Sequence, residues 1–215
     1  MAGKFFFIDT TKCTACRGCQ VACQEWNKLP ATPTKQRGTH QNPPTWNGVT
    51  YRVVRFAEHP SPINSMVWYF FTDACRHCLN PPCKQEADEM VKGAIVVDKN
   101  GAVIYTEKTK KLAKDLKMIQ DACPWSVPQL DQRTGRLAKC HMCTDRVSAG
   151  LLPACVKACP TGALNFGDEP AIKKLAQERL AAAKKRFGQA QILDAGDVRA
   201  LYLVTAEESM YSQTA

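Results

Sequence analysis

Cys13-Thr-Ala-Cys16-Arg-Gly-Cys19-Gln-Val-Ala-Cys23 decides how this chain is read. Four thiols within eleven residues follow the spacing C-x2-C-x2-C-x3-C. A short loop with that spacing wraps three thiolates around one iron-sulfur cubane while the fourth cysteine reaches a different cluster. Cys123-Pro124 and Cys159-Pro160 repeat the Cys-Pro pair of such an outlying ligand, where proline turns the chain away after ligation. Ala15, Gly18 and Ala22 are small enough to let backbone amides approach the sulfurs.

All twelve cysteines fall into such groups: the opening four, then Cys75, Cys78 and Cys83, then Cys123, then Cys140, Cys143, Cys155 and Cys159. A disulfide scaffold also uses an even count, but it belongs to short secreted chains, and four cysteines this close crowd one another for bridging. Zinc accepts Cys13-x2-Cys16, Cys75-x2-Cys78 and Cys140-x2-Cys143 as half-sites, yet has no need of the tight third and fourth cysteines. A redox dithiol needs one reactive pair. Three [4Fe-4S] clusters account for the whole set.

Composition fits that cofactor load. The chain has 215 residues, 45% apolar and 23% charged, enough for one or two compact domains. Its formal charge of +9 points first to nucleic acid, but no aromatic-basic recognition motif accompanies it. Three clusters of about −2 each, thiolates included, bring the sum to about +3. The longest apolar run, Met66 to Phe71, is far short of the roughly 18–20 residues that span a bilayer. Phe5-Phe-Phe-Ile8 is too short an apolar core for a secretory signal and has no cleavage site. No nucleotide fingerprint, phosphate loop or nucleophile elbow is present, so substrate chemistry is expected on another chain.

Three stretches carry a resemblance: Phe7-Ile-Asp9 before the first motif, Cys75-Arg-His-Cys-Leu-Asn-Pro-Pro-Cys83, and Lys139-Cys-His-Met-Cys-Thr-Asp-Arg146 with Pro153-Ala-Cys-Val-Lys-Ala-Cys-Pro-Thr-Gly-Ala163. Over residues 4 to 168 the chain resembles the iron-sulfur subunits of molybdenum and tungsten oxidoreductases. Within that family it is most similar to the small subunits of soluble formate dehydrogenases of sulfate-reducing bacteria. Family members usually carry four clusters. Here the positions of four family ligands are Ala87, Ala113, Leu116 and Ile119, all of which would have served one cluster under the crossed pattern of two-cluster ferredoxins. The same crossing assigns Cys13, Cys16, Cys19 and Cys159 to one cluster, Cys23, Cys140, Cys143 and Cys155 to its neighbour, and Cys75, Cys78, Cys83 and Cys123 to a third.

The resemblance implies an α+β fold of two ferredoxin-like modules, one inserted in the other. The outer module is expected over residues 1–60 and 135–168, the insert over 61–134, and a C-terminal helix-strand extension over 169–215. It further implies a non-catalytic electron-transfer subunit, paired with a large subunit that holds a tungsten or molybdenum bis-pterin centre. Electrons would pass from formate to a soluble multihaem cytochrome c in the periplasm, the complex being exported on its partner's signal, with the cytoplasm as the alternative location. Another molybdopterin oxidoreductase, reducing thiosulfate, polysulfide, nitrate or dimethyl sulfoxide, is the alternative.

Local patterns fill in the rest. Ala94-Ile-Val-Val-Asp and Ala102-Val-Ile-Tyr around Lys99-Asn-Gly predict a hairpin. Leu112, Leu116 and Ile119 among lysines predict an amphipathic helix over Lys108 to Gln120. Leu29 to Trp46, with four prolines, predicts a long surface loop. Ala171 to Phe187 reads as a helix ended by Gly188, and Ala200 to Thr205 as a strand. His77 and His141 are expected as surface or hydrogen-bonded imidazoles, and Trp125 as a cover over a cluster. Arg17, Lys84 and Lys157 are expected as solvated charges beside ligands.

Overall fold

The computed structural model describes residues 3–63 and 65–211, and its secondary structure is mixed α and β. In chain order the elements are β1 (Lys4–Asp9), α1 (Gly18–Trp26), β2 (Arg52–Ser61), β3 (Ser65–Ala74), α2 (Pro82–Met90), β4 (Ile95–Val97), β5 (Val103–Tyr105) and α3 (Leu116–Ala122). They continue with β6 (Gln129–Asp131), β7 (Arg136–Ala138), α4 (Thr144–Ser148), α5 (Ala154–Lys157), β8 (Leu164–Asp168), α6 (Glu169–Lys184), β9 (Gln191–Leu193) and β10 (Ala200–Val204).

The run Phe5-Phe-Phe-Ile8 is apolar throughout because both faces of β1 are covered, each side chain being 2% exposed or less. Alternation sends Phe5 and Phe7, with Leu201 and Leu203 of β10, toward Ile172 and Ala176 of α6. Phe6 and Ile8, with Ala200, Tyr202 and Val204, face the other way, onto Ala15, Cys19, Met142 and Cys155. One face of the sheet is thus a helix-packed core and the other carries thiols. The strand order is β8-β1-β10-β9, with β1 antiparallel to β8 and parallel to β10. Residues 169–215, expected as an appended extension, therefore supply two of the four strands and the helix that covers them.

Three two-stranded hairpins surround this sheet. In the longest, β2 pairs antiparallel with β3 over ten residues. Its free edge is not left bare, since the Val54 and Phe56 amides donate to the side-chain oxygens of Gln20 and Gln41. Gln41 belongs to the proline-rich segment, which has no helix or strand but folds back here as a strap. The hairpin runs across the module boundary expected at residue 60, and the β6-β7 turn runs across the one expected at 134, because strand pairing holds both sides together.

The predicted β4-β5 hairpin is present. The helix expected over Lys108 to Gln120 is not continuous: a 3-10 turn over Glu107–Leu112 precedes α3. In a 3-10 turn residues three apart eclipse each other, and this winding buries Thr109 and Leu112 completely on one side. Thr106 caps it by accepting the Lys108 amide.

Gly48 presses against the backbone of β6: a methyl group added there would lie 2.5 Å from the Asp131 Cα. Gly48→Ala is expected to cost about 1–3 kcal/mol of holoprotein stability, as overpacking does elsewhere. Gly188→Ala, which meets open space, should stay within about 0.5 kcal/mol. Thermal unfolding of both variants checks the pair.

Candidate iron-sulfur sites

The first cysteine of each C-x2-C pair is held by the residue two positions on. The Ala15 amide donates to Cys13, the His77 amide to Cys75 at 3.4 Å and the Met142 amide to Cys140 at 3.5 Å. Ala15, His77 and Met142 have φ of +53°, +50° and +64°, and Arg17, Ser126 and the thiol-bearing Cys143 itself are also left-handed. Such a conformation costs a non-glycine residue about 1–3 kcal/mol. It turns successive amides inward as a nest for negative charge, which is the return on the strain.

Tertiary structure brings free thiols from distant motifs together, with neighbours also between the expected sets, Cys155 near Cys19 and Cys140 near Cys75. Cys13 lies among Cys16, Cys19 and Cys159, and Cys23 among Cys140, Cys143 and Cys155. Cys78 lies among Cys75, Cys83 and Cys123. Helix geometry suits the expected crossing. Cys19 and Cys23 are four apart on α1, about one turn of ~5.4 Å, so one helix face serves two sets. The packed partner α5 carries Cys155, with Cys159 four residues on, and serves the same two sets in reverse order.

The third set lines a largely apolar space together with Pro82, Val103, Tyr105, Trp125, Val127, Arg76 and Lys139. Among the described residues, no three Cys, His, Asp or Glu side chains converge on a single-ion position. Zinc, at about 2.3 Å from each sulfur, needs sulfurs about 3.8 Å apart.

Electrostatics point the same way. Burial and the neighbouring thiols push Cys78 and Cys143 up to about 12. Burial also pushes Cys13, Cys83 and Cys155 up to about 11, partly opposed by the Ala15 amide, Lys139 and Arg52 respectively. Cys23 is driven well above its ordinary range. Cys159 goes down: burial opposes ionisation, but the Leu164, Thr161 and Ala163 amides and the Thr161 hydroxyl outweigh it. Four thiolates cannot share such a space unless a positive core neutralises them. A [4Fe-4S] core meets that need, and the donor set is the one it takes.

His77 is fully buried, not at the surface: its Nδ1 accepts the Val103 amide, and burial with nearby Lys139 holds the ring neutral. His141 is half-buried, with Nε2 2.6 Å from the Asn27 amide oxygen. Trp125 covers the third set and stacks on the Arg76 guanidinium at 5.2 Å. Arg17 starts α1 and donates to the His40 carbonyl, and Lys84 pairs with Asp88. Lys157 is exposed. The sequence reading did not single out the buried cations Arg52, Arg76 and Lys139. Position next to Cys140 was the one signal available for Lys139.

The four positions without cysteine sit where α2 packs on α3, as α1 packs on α5. Ala87 and Ile119 are completely buried, Leu116 packs against the same apolar cluster with Leu112, Ile95 and Leu137, and Ala113 is half-buried. Ile119→Ala should cost about 2–5 kcal/mol through the cavity it leaves, while iron content stays at the parent value. Thermal unfolding and iron assay on one sample check both halves; iron loss at unchanged stability would contradict a purely structural role.

A family profile for a 4Fe-4S dicluster domain matches residues 66–169. The formate dehydrogenase 2 subunit beta (cytochrome c-553) of Nitratidesulfovibrio vulgaris is 50% identical over 99% of this chain and 98% of its own length. The formate dehydrogenase subunit beta of Megalodesulfovibrio gigas is 47% identical over the same shares. The formate dehydrogenase-O iron-sulfur subunit of Escherichia coli is 37% identical over 83% of this chain and 58% of its own length. Full-length similarity at this level, joined to buried thiols arranged for iron-sulfur clusters, places the chain in the family of formate dehydrogenase beta subunits, the iron-sulfur electron-transfer subunits of that oxidoreductase complex.

Proposed function

We propose that this chain relays electrons through three [4Fe-4S] clusters, from a tungsten or molybdenum bis-pterin centre in a large catalytic subunit to a soluble c-type cytochrome. Cys13, Cys16, Cys19 and Cys159 hold the first cluster, Cys23, Cys140, Cys143 and Cys155 the second, and Cys75, Cys78, Cys83 and Cys123 the third. The gathering of thiols from distant motifs into three groups carries the reading. When bound, each cluster supplies reversible one-electron chemistry. The protein's part is to hold the sulfurs, aim amides at them, exclude water and set their order. Cys155 neighbours Cys19, and Cys140 neighbours Cys75, so the second set stands between the other two.

The third set is the exit in this reading. An open depression reaches Cys78 from outside, bordered by Asn80, Trp125, Asp194 and Asp197. The deleted fourth site adjoins the same set, as expected if the missing cluster was a terminal one. The cytochrome c-553 in the Nitratidesulfovibrio relative's name supports a cytochrome acceptor. Among the described residues no helix is long and apolar enough to cross a membrane, which suits export on a folded partner. The nested division into an outer module and an insert stays part of the proposal, its segments joined by the two hairpins. A relative from the anaerobic dimethyl sulfoxide reductase of Escherichia coli, 31% identical over 79% of this chain, supports the second reading, a subunit of another molybdopterin oxidoreductase. Whether the copurifying large subunit oxidises formate decides between them.

Two outcomes are expected. Cys159→Ala should remove the EPR signal of the first cluster and Cys23→Ala that of the second; identical spectra would reject the crossing. Cell fractionation should find the complex in the periplasm, and a purely cytoplasmic complex would reject export.

A further inference from the structure

Arg52 and Lys139 are buried, at 4% and 6% exposure, and neither has a carboxylate partner among the described residues. Arg76 makes the contrast, since it is equally buried but pairs with Asp73 at 2.6 Å. Nη1 of Arg52 donates to the Thr72 carbonyl and to the Thr72 hydroxyl at 3.0 Å, and that hydroxyl lies 3.4 Å from the Cys19 sulfur. The ionisable groups that raise its proton affinity are Cys155 of the second set, Tyr202, Cys19 of the first set and Cys140 of the second. Nζ of Lys139 donates to the Val103 and Cys140 carbonyls at 2.5 and 2.9 Å and lies over the Tyr105 ring. It lines the space of the third set and is felt at Cys83 and Cys123 as well as at Cys140 of the second.

A charge held this far from water is costly unless an opposite charge accompanies it. No carboxylate does so here, which leaves the thiolate-ligated clusters, each net negative in the oxidised state and more so once reduced. We propose that Arg52 and Lys139 are buried counter-ions shared between successive clusters, Arg52 by the first and second and Lys139 by the second and third. Both are positioning residues. A cation beside a cluster favours the form carrying the extra electron and so raises its reduction potential. Because each faces two sets, it raises neighbouring potentials together instead of opening a step between them. An electron leaving one cluster is the electron gained by the next, and no other reactant is involved. This inference rests on the ligand sets proposed above.

EPR-monitored redox titration of the purified complex tests it. Arg52→Gln should lower the midpoints of the first and second clusters, changing their oxidised-to-reduced ratio at fixed potential at least tenfold, about 59 mV for a one-electron couple. The third cluster should not move. Lys139→Met should do the same to the second and third and spare the first. Arg52→Lys and Lys139→Arg should return the midpoints toward the parent values. If a neutral variant loses clusters, loss confined to its two predicted sets and prevented by the conservative variant supports the assignment. Midpoints that do not move, shifts or losses common to all three clusters, or conservative variants that behave like the neutral ones overturn it. Cys159→Ala and Cys23→Ala, titrated alongside, keep the two levels apart. If they fail to separate the signals, the ligand sets are wrong; if they separate them while Arg52→Gln and Lys139→Met leave the potentials unmoved, only the counter-ion role falls.

Discussion

Most of the twelve thiols are buried or half-buried where a thiolate alone is disfavoured, and much of the rest of the molecule answers to that. Burial and mutual repulsion push most of them upward, some to about 12, so a set of four ionises together only around a positive core. Binding of that core is then part of the folding equilibrium, not an addition to a finished protein. The left-handed Ala15, His77 and Met142 belong to the same balance. Their strain is offset only when the amides they turn inward meet negatively charged sulfur.

The two helix pairs give alternative answers to one packing problem. Between α1 and α5, Cys19 and Cys23 on the first helix meet Cys155 of the second and Cys159 just beyond its end. Between α2 and α3, Cys83 and Cys123 supply one thiol set, and Ala87 and Ile119 close the remaining space as apolar core. Losing a cluster site without leaving a void takes that kind of replacement, since a void costs stability in proportion to its volume. The sheet ties the arrangement together: Phe6 and Ile8 of β1 back the thiol side while Phe5 and Phe7 hold α6.

Much of this could be read along the chain. Cysteine spacing marked every thiol that the structure gathers, because ligation by a short loop leaves a local signature. The β4-β5 hairpin was visible for the same reason, its alternation and turn residues lying within a few positions. Features set by distant partners were hidden. β10 reads as one more strand, and nothing local announces that it pairs in parallel with β1. Arg52 looks like one of two arginines on a strand, yet Arg55 meets Asp73 at the half-buried side while Arg52 turns inward to Thr72. The split of residues 107–122 escaped notice because lysines at helical spacing do not reveal a 3-10 turn that buries Thr109.

The count of clusters is the point on which the ligand sets, the closed fourth site and the shared cations all depend. Iron and acid-labile sulfide measured on the purified chain, against its concentration by amino-acid analysis, test it most directly. Three cubanes predict about twelve of each per chain. Values near sixteen would mean that a fourth cluster has found ligands despite Ala87, Ala113, Leu116 and Ile119, and values near eight would mean that one of the three thiol sets holds no cluster.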